Sequence, residues 1–161
     1  VNTSRSNAVV AEAVVAGRVP ALTDYRTLQS EVRFDVPGHP RSRLDLRLGG
    51  GQSADALVEI KNVTLLDGDR LRFPDAVSVR ALKHLDLLRA AVETGLRGVI
   101  LFALNRPEGR CFSPAPEIDP AYARRLSEVV AGGVEALALR IRHTPQGMLG
   151  DGMVPIELEA G

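Results

Sequence analysis

Six consecutive residues, Val99-Ile100-Leu101-Phe102-Ala103-Leu104, are apolar without interruption. A run that short, with no polar alternation, reads as a central strand buried on both faces. It therefore demands a layer of structure on each side of a sheet. The neighbouring segments can supply one. Val79, Leu82, Leu85, Leu88 and Val92 recur at spacings of three and four, which predicts one face of a helix from about Ala76 to Glu93. Asp75 is placed to cap that helix and Gly95 to close it. Beyond the apolar strand, Asn105 to Pro120 reads as a Pro-rich loop. A helix over Tyr122 to Ala131 follows, with Asp119 at its start and Pro120 at N1, and then a strand over Val134 to Ile141. A strand–helix–strand unit of this kind requires a right-handed parallel crossover.

The first half of the chain has a different rhythm. Asn2-Thr3-Ser4 offers N-cap side chains for a helix over Ala8 to Ala16, with Gly17 as its stop. Tyr25 to Phe34 alternates as a strand, with Leu28, Ser30, Val32 and Phe34 on one side and Gln29, Glu31 and Arg33 on the other. After the turn Pro37-Gly38-His39-Pro40, Leu44, Leu46 and Leu48 alternate with Arg43, Asp45 and Arg47. Gly49 to Ser53 connects this to a strand over Ala56 to Val63. Thr64 to Pro74 reads as irregular, with a turn at Asp67-Gly68-Asp69. Met153 to Leu158 reads as a terminal edge strand, because Pro155 excludes a central place. The order is α-β-β-β-α-β-α-β. It predicts a single α/β domain over residues 1–161: a mixed sheet with helices on both faces.

Composition narrows the function classes. The formal net charge is +0 over 161 residues, so no global basic field advertises nucleic acid; binding of that kind needs a local patch. No apolar run approaches the length of a membrane span, and no signal-peptide core precedes the first helix. The single Cys111 cannot form an internal disulfide, which fits a reducing, cytoplasmic setting. Three scattered histidines and one cysteine make a zinc site a poor fit. Gly49-Gly50-Gly51 lacks the Lys-Ser/Thr and the helix of a phosphate loop. Among 20 basic residues only Lys61 and Lys83 are lysines. Either a coding bias toward arginine left two by chance, or these positions need a compact ammonium rather than a planar guanidinium.

One of those lysines sits in the motif with most chemical content. In Val58-Glu59-Ile60-Lys61, Glu59 and Lys61 share a strand face. If the preceding strand pairs with this one as a hairpin, Asp45 can join Glu59. Two converging carboxylates favour a divalent cation; their hard oxygens, the Ile60 carbonyl and water suit Mg²⁺ or Mn²⁺. Lys61 could then orient a water or stabilise developing charge. A Glu-x-Lys triplet alone arises by chance in about one of two chains of this length, from average charged-residue usage. The other reading is an exposed sheet face with a cross-strand ion pair. With Asp45 upstream, apolar flanks and this element order, the stretch resembles the core of the PD-(D/E)XK nuclease superfamily.

The flanks extend the resemblance. Val1-Asn2-Thr3, Ser30-Glu31-Val32-Arg33-Phe34, Ser42-Arg43-Leu44-Asp45, Val58 to Leu65, Phe73-Pro74-Asp75-Ala76-Val77, Lys83-His84-Leu85 and Ile118-Asp119-Pro120 resemble, in order, the sugar fermentation stimulation protein A family. That resemblance implies a restriction-endonuclease-like domain and a bacterial or archaeal DNA-binding protein linked to regulation of sugar, especially maltose, metabolism. It implies Asp45, Glu59 and Ile60 as metal ligands, with Lys61 as the catalytic residue if the site turns over. It also implies an N-terminal OB-fold domain that this chain does not include. Two functional readings stay open: a nuclease-derived DNA-binding module, or an active Mg²⁺/Mn²⁺-dependent nuclease cutting DNA or RNA. A homo-oligomer is left open as well.

Arg80, Lys83 and His84 stand at i, i+3 and i+4 on one helix face, suited to phosphate contact or simply to solvent. Arg33 is a further nucleic-acid candidate. Glu31 is a candidate accessory carboxylate or the partner of a neighbouring strand.

Overall fold

The structure, a computed structural model, describes residues 3–158. Six strands form the main sheet: β1 (Thr27–Arg33), β2 (Arg43–Gly49), β3 (Ala56–Val63), β6 (Arg97–Leu104), β8 (Glu135–Thr144) and β9 (Gly147–Met153), in the order β1-β2-β3-β6-β8-β9. The β1–β2, β2–β3 and β8–β9 pairs are antiparallel, whereas β3–β6 and β6–β8 are parallel. The two parallel joins run through α2 (Val79–Glu93) and α3 (Pro120–Ala131). Both helices lie on one face, and α1 (Thr3–Val15) covers the other.

β6 occupies the position its sequence demands. Ile100, Phe102 and Leu104 pack toward α2 and α3, while Val99, Leu101 and Ala103 pack toward α1. All six are fully buried. Gly98 lets α2 press onto this strand: a Cβ there would lie 2.5 Å from the Leu88 carbonyl oxygen.

The expected order holds, with three short strands added to it. The 64–74 segment, expected to be irregular, contains a hairpin of β4 (Leu65–Asp67) and β5 (Arg70–Phe73), turning at the expected Gly68. The 105–120 loop contains β7 (Cys111–Pro114), parallel to β5. These three make a small second sheet, docked by Phe112 stacked on Phe102 at 4.0 Å and by Phe73 edge-on to Tyr122 at 5.3 Å. The terminal edge strand is β9, not Met153 to Leu158. The Val154 N–H still donates to the Ala138 carbonyl of β8; the chain then turns to β7, where Ile156 bridges Phe112.

Helix α2 starts later than expected. Ser78, not Asp75, is its N-cap and accepts from the Ala81 N–H at 3.0 Å. Asp119 caps α3 as expected, and its second oxygen accepts from the Ser78 N–H. The buried stripe of α2 is Ala81, His84, Leu85, Leu87, Leu88 and Ala91, rotated from the one read from large residues alone; Val79 is exposed. In α1, Ser6, Val10, Ala13 and Val14 form the buried face. Of its expected N-cap residues, Asn2 and the side chains of Thr3 and Ser4 lie outside the described residues. No described helix is long and apolar enough to cross a membrane.

Candidate metal centre at the parting of two strands

β2 and β3 pair over only three residues, ending at Leu46↔Val58. The reason lies in β1 and β2. Leu46 and Leu48 pack toward α1, but Leu44 packs toward α2 and α3. Likewise Leu28 packs toward α1, and Phe34 toward the opposite face. Period-2 alternation would have kept each set together. Both strands therefore roll over near the middle, at Glu31 in β1 and Asp45 in β2. Glu31 carries the roll in its backbone, with φ of 54°, a left-handed conformation that a non-glycine residue adopts at a cost on the order of 1 kcal/mol.

Where the ladder stops, side chains replace it. The Asp45 N–H donates to Glu59 Oε1 at 3.2 Å, and the Ile60 N–H donates to Asp45 Oδ2 at 2.8 Å. Asn7 of α1 donates to Asp45 Oδ1 at 3.0 Å. In a strand a residue's N–H and C=O point the same way, so the Ile60 carbonyl also points toward Asp45, beyond the last β2 pair.

The other end of Glu59 meets a buried helix residue. His84 Nδ1 lies 2.6 Å from Glu59 Oε2, and Lys61 Nζ lies 3.3 Å from the same oxygen. Lys61 Nζ and His84 Nδ1 are 2.8 Å apart. A single ring nitrogen cannot both donate to Glu59 and accept from Lys61, so the three groups share these contacts rather than satisfying them all at once.

The carboxylates are not equivalent. Burial pushes the Asp45 carboxyl up to about 6, and the charge of Glu59 pushes the same way. Burial also pushes Glu59 up, but the His84 hydrogen bond and the Lys61 charge outweigh it and hold Glu59 below its ordinary value. Two carboxylates and a backbone carbonyl thus face an open cleft of about 470 Å³, lined also by Asn7, Glu31, Lys61, Asn62, Phe73 and Arg80. This donor set fits a hard divalent cation: it is all oxygen, it is electrostatically strained without one, and it leaves room for water. Among the described residues no group of three or more His, Cys, Asp or Glu side chains converges, so water would complete the shell.

The other expected residues are dispersed. Asp45, Glu59, Ile60 and Lys61 come together, and Glu31 and Arg80 line the same cleft. Lys83 is exposed on α2 outside that lining. His84 is not on the surface with Arg80 and Lys83; it is 7% exposed and supports Glu59 and Lys61 from beneath. Arg33 pairs with Asp35 at 3.2 Å and is not among the cleft's lining residues. Sequence reading missed Asn7 and Asn62. No local pattern marks Asn7, because its partner is 38 residues away.

A mixed sheet in this order, sandwiched between α1 and the α2–α3 pair, defines a restriction-endonuclease-like domain. Residues 4–147 match the family described as "Sugar fermentation stimulation protein RE domain", and the chain belongs to that family. It is 46% identical over 146 residues to the sugar fermentation stimulation protein homolog of Acidithiobacillus ferrooxidans, covering 90% of this chain and 61% of that protein. It is equally identical, over 146 residues, to the homolog of Geobacter metallireducens, covering 91% and 61%. The chain thus spans about three fifths of the length of these relatives. Among solved structures, SfsA of Pyrococcus furiosus in complex with Ca²⁺ superposes with a TM-score of 0.86 at 27% identity, covering 97% of this chain and 65% of that one.

Proposed function

We propose that this domain is the metal-binding, DNA-engaging part of a sugar fermentation stimulation protein. Asp45, Glu59 and the Ile60 carbonyl would hold one Mg²⁺ or Mn²⁺ ion. The observation that carries this reading is the reciprocal bonding of Asp45 and Glu59 at the strand parting. It fixes two carboxylates against a solvent-open cleft, and the Ile60 N–H and Lys61 only partly offset the burial and the Glu59 charge that push Asp45 up. The Ca²⁺ held by the Pyrococcus furiosus protein supports the same class of ion here. In the longer relatives the domain would act with an N-terminal OB-fold, in the cytoplasm, in regulation of sugar and especially maltose metabolism.

The chain's own groups suit a phosphodiester. Asp45 and Glu59 neutralise the ion, and Arg80 stands on the cleft wall to meet a phosphate. A bound divalent ion would supply Lewis-acid polarisation and an acidified water. Lys61 favours a second reading, an active nuclease. Its ammonium is held beside Glu59 at 3.3 Å, where it can stabilise charge at the reacting phosphate.

Fluorescence anisotropy with labelled DNA, with and without Mg²⁺, tests the first reading, and product analysis on gels tests the second. Metal-enhanced, salt-sensitive binding that weakens in Asp45→Ala is expected. Binding insensitive to both metal and Asp45→Ala would overturn the shared role. Cleavage that persists unchanged in Lys61→Ala would rule out turnover at this site.

A further inference from the structure

A second polar feature begins in the cleft and leaves it. Asn62 at the end of β3, Asn105 just past β6 and His143 near the end of β8 stand on three adjacent strands. Asn105 Nδ2 donates to Asn62 Oδ1 at 3.1 Å, and His143 Nε2 lies 3.1 Å from Asn105 Oδ1. The direction of this row is fixed. Asn105 Nδ2 also donates to the Ala103 carbonyl, which can only accept, so the other amide atom is the oxygen. His143 Nε2 must then carry the proton that reaches it. With Asn62 Oδ1 occupied, the atom Asn62 has left for the cleft is its amide nitrogen, a donor. Asn62 alternates with Glu59 and Lys61 and so projects from the opposite face of β3, where it lines the cleft mouth; a donor left open there suits an anionic oxygen of a ligand.

The far end of the row opens into a groove of about 530 Å³ lined by Pro107, Arg140, Ile141, Arg142, His143 and Thr144. Its wall is braced. Arg140 donates to the carbonyls of Arg106 at 2.7 Å, Glu108 at 2.9 Å and Gly109 at 2.5 Å, which pins the 106–109 segment. The one acidic side chain of that segment, Glu108, is paired with Arg106 at 3.1 Å. Arg142 is exposed and has no ion-pair or hydrogen-bond partner among the described side chains. Adjacent strands are about 4.8 Å apart, so the row spans about 10 Å from cleft to groove.

We infer that the phosphodiester backbone of a nucleic-acid strand runs from the carboxylate cleft along the Asn62–Asn105–His143 row into the Arg142 groove. Asn62 donates to a phosphate oxygen beside the metal centre, and Arg142 neutralises a later phosphate. The inference rests on the proposed nucleic-acid role and names the path of the strand.

Anisotropy titrations of labelled single-stranded and duplex DNA, run in Ca²⁺ at several salt concentrations, test it. Arg142→Glu and His143→Ala are compared with Arg124→Glu, an exposed arginine on α3. Arg142→Glu is expected to weaken binding about tenfold and to reduce the salt slope by about 1, with a smaller loss in His143→Ala. Arg124→Glu should bind as wild type. Equal losses in Arg142→Glu and Arg124→Glu, or none in Arg142→Glu, would overturn the path. Calorimetric Ca²⁺ titration of Arg142→Glu separates the two levels. Retained metal binding with unchanged DNA affinity defeats the path alone, whereas a wild-type protein that binds neither DNA form defeats the nucleic-acid role and the path together.

Discussion

Two clusters of charge are buried at the edges of this domain, and they are built in opposite ways. Around Arg72, on β5, every donor is used: Nε and Nη2 reach the Pro114 carbonyl, Nη1 reaches Asp67, and Glu117 takes contacts from both terminal nitrogens. The two carboxylates there remain largely in water, and Arg72 alone is buried. Around Glu59 the reverse holds. Two carboxylates are drawn out of water, one lysine serves them, and a histidine nitrogen is contested between Glu59 and Lys61. The first cluster is satisfied and ties β5 to the 114–117 segment. The second is under-compensated and faces open space. Buried charge marks a binding site when its own structure leaves it short of counter-charge, not merely because it is buried.

The largest effect should come from breaking the satisfied cluster. Arg72→Ala orphans the Pro114 carbonyl and removes a buried guanidinium, and should cost about 2–3 kcal/mol of unfolding free energy in urea. Divalent-ion affinity should not change. A loss of metal binding in that variant would erase the distinction between the clusters.

A smaller effect is expected from His84, which positions Glu59 and Lys61 rather than meeting a ligand. His84→Phe should weaken metal affinity about tenfold, as loss of a partner behind a ligand typically does. His84→Asn, whose amide can occupy the Nδ1 position, should recover part of it. If both variants lose stability equally but bind metal as wild type, His84 is a packing residue only.

The smallest effect concerns pH in the metal-free protein. Asp45 holds its proton up to about 6 when folded, against an ordinary value of 3.8. Between those values the folded state binds more protons, so this group's contribution to stability falls as pH rises through the window. Glu59 acts with the opposite sign: its contribution is present above its unfolded value and is lost as pH falls through its lowered folded one. With solvent screening of the half-buried Asp45, Asp45→Asn should gain on the order of 1 kcal/mol at neutral pH and flatten the decline. Denaturation midpoints from pH 4 to 8 measure this. A wild-type profile that the substitution leaves unchanged would mean the carboxylates do not crowd each other.

Much of this was legible in the chain because it is local. The β6 run, the crossover through α3, the Asp119 cap and the Glu59–Lys61 face follow from spacing alone. The roll of β1 and β2 at Glu31 and Asp45 does not, because Leu44, Leu46 and Leu48 alternate as if they shared one face. Spacing puts His84 on the face of Arg80 and Lys83, yet it is buried, because the small Ala81 and Ala91 carry the buried stripe of α2 as firmly as its leucines. Asn7, Asn62 and Asn105 join through contacts 38 to 43 residues apart in sequence, which no local pattern announces.

The central claim is that Asp45 and Glu59 form an under-compensated pair that a divalent ion completes. Calorimetric titration of Mn²⁺ into the wild-type chain and Asp45→Asn tests it directly. The account predicts one site in the wild type and its loss in Asp45→Asn, with the fold intact by circular dichroism. Equal binding in both, or no binding in the wild type, would contradict it.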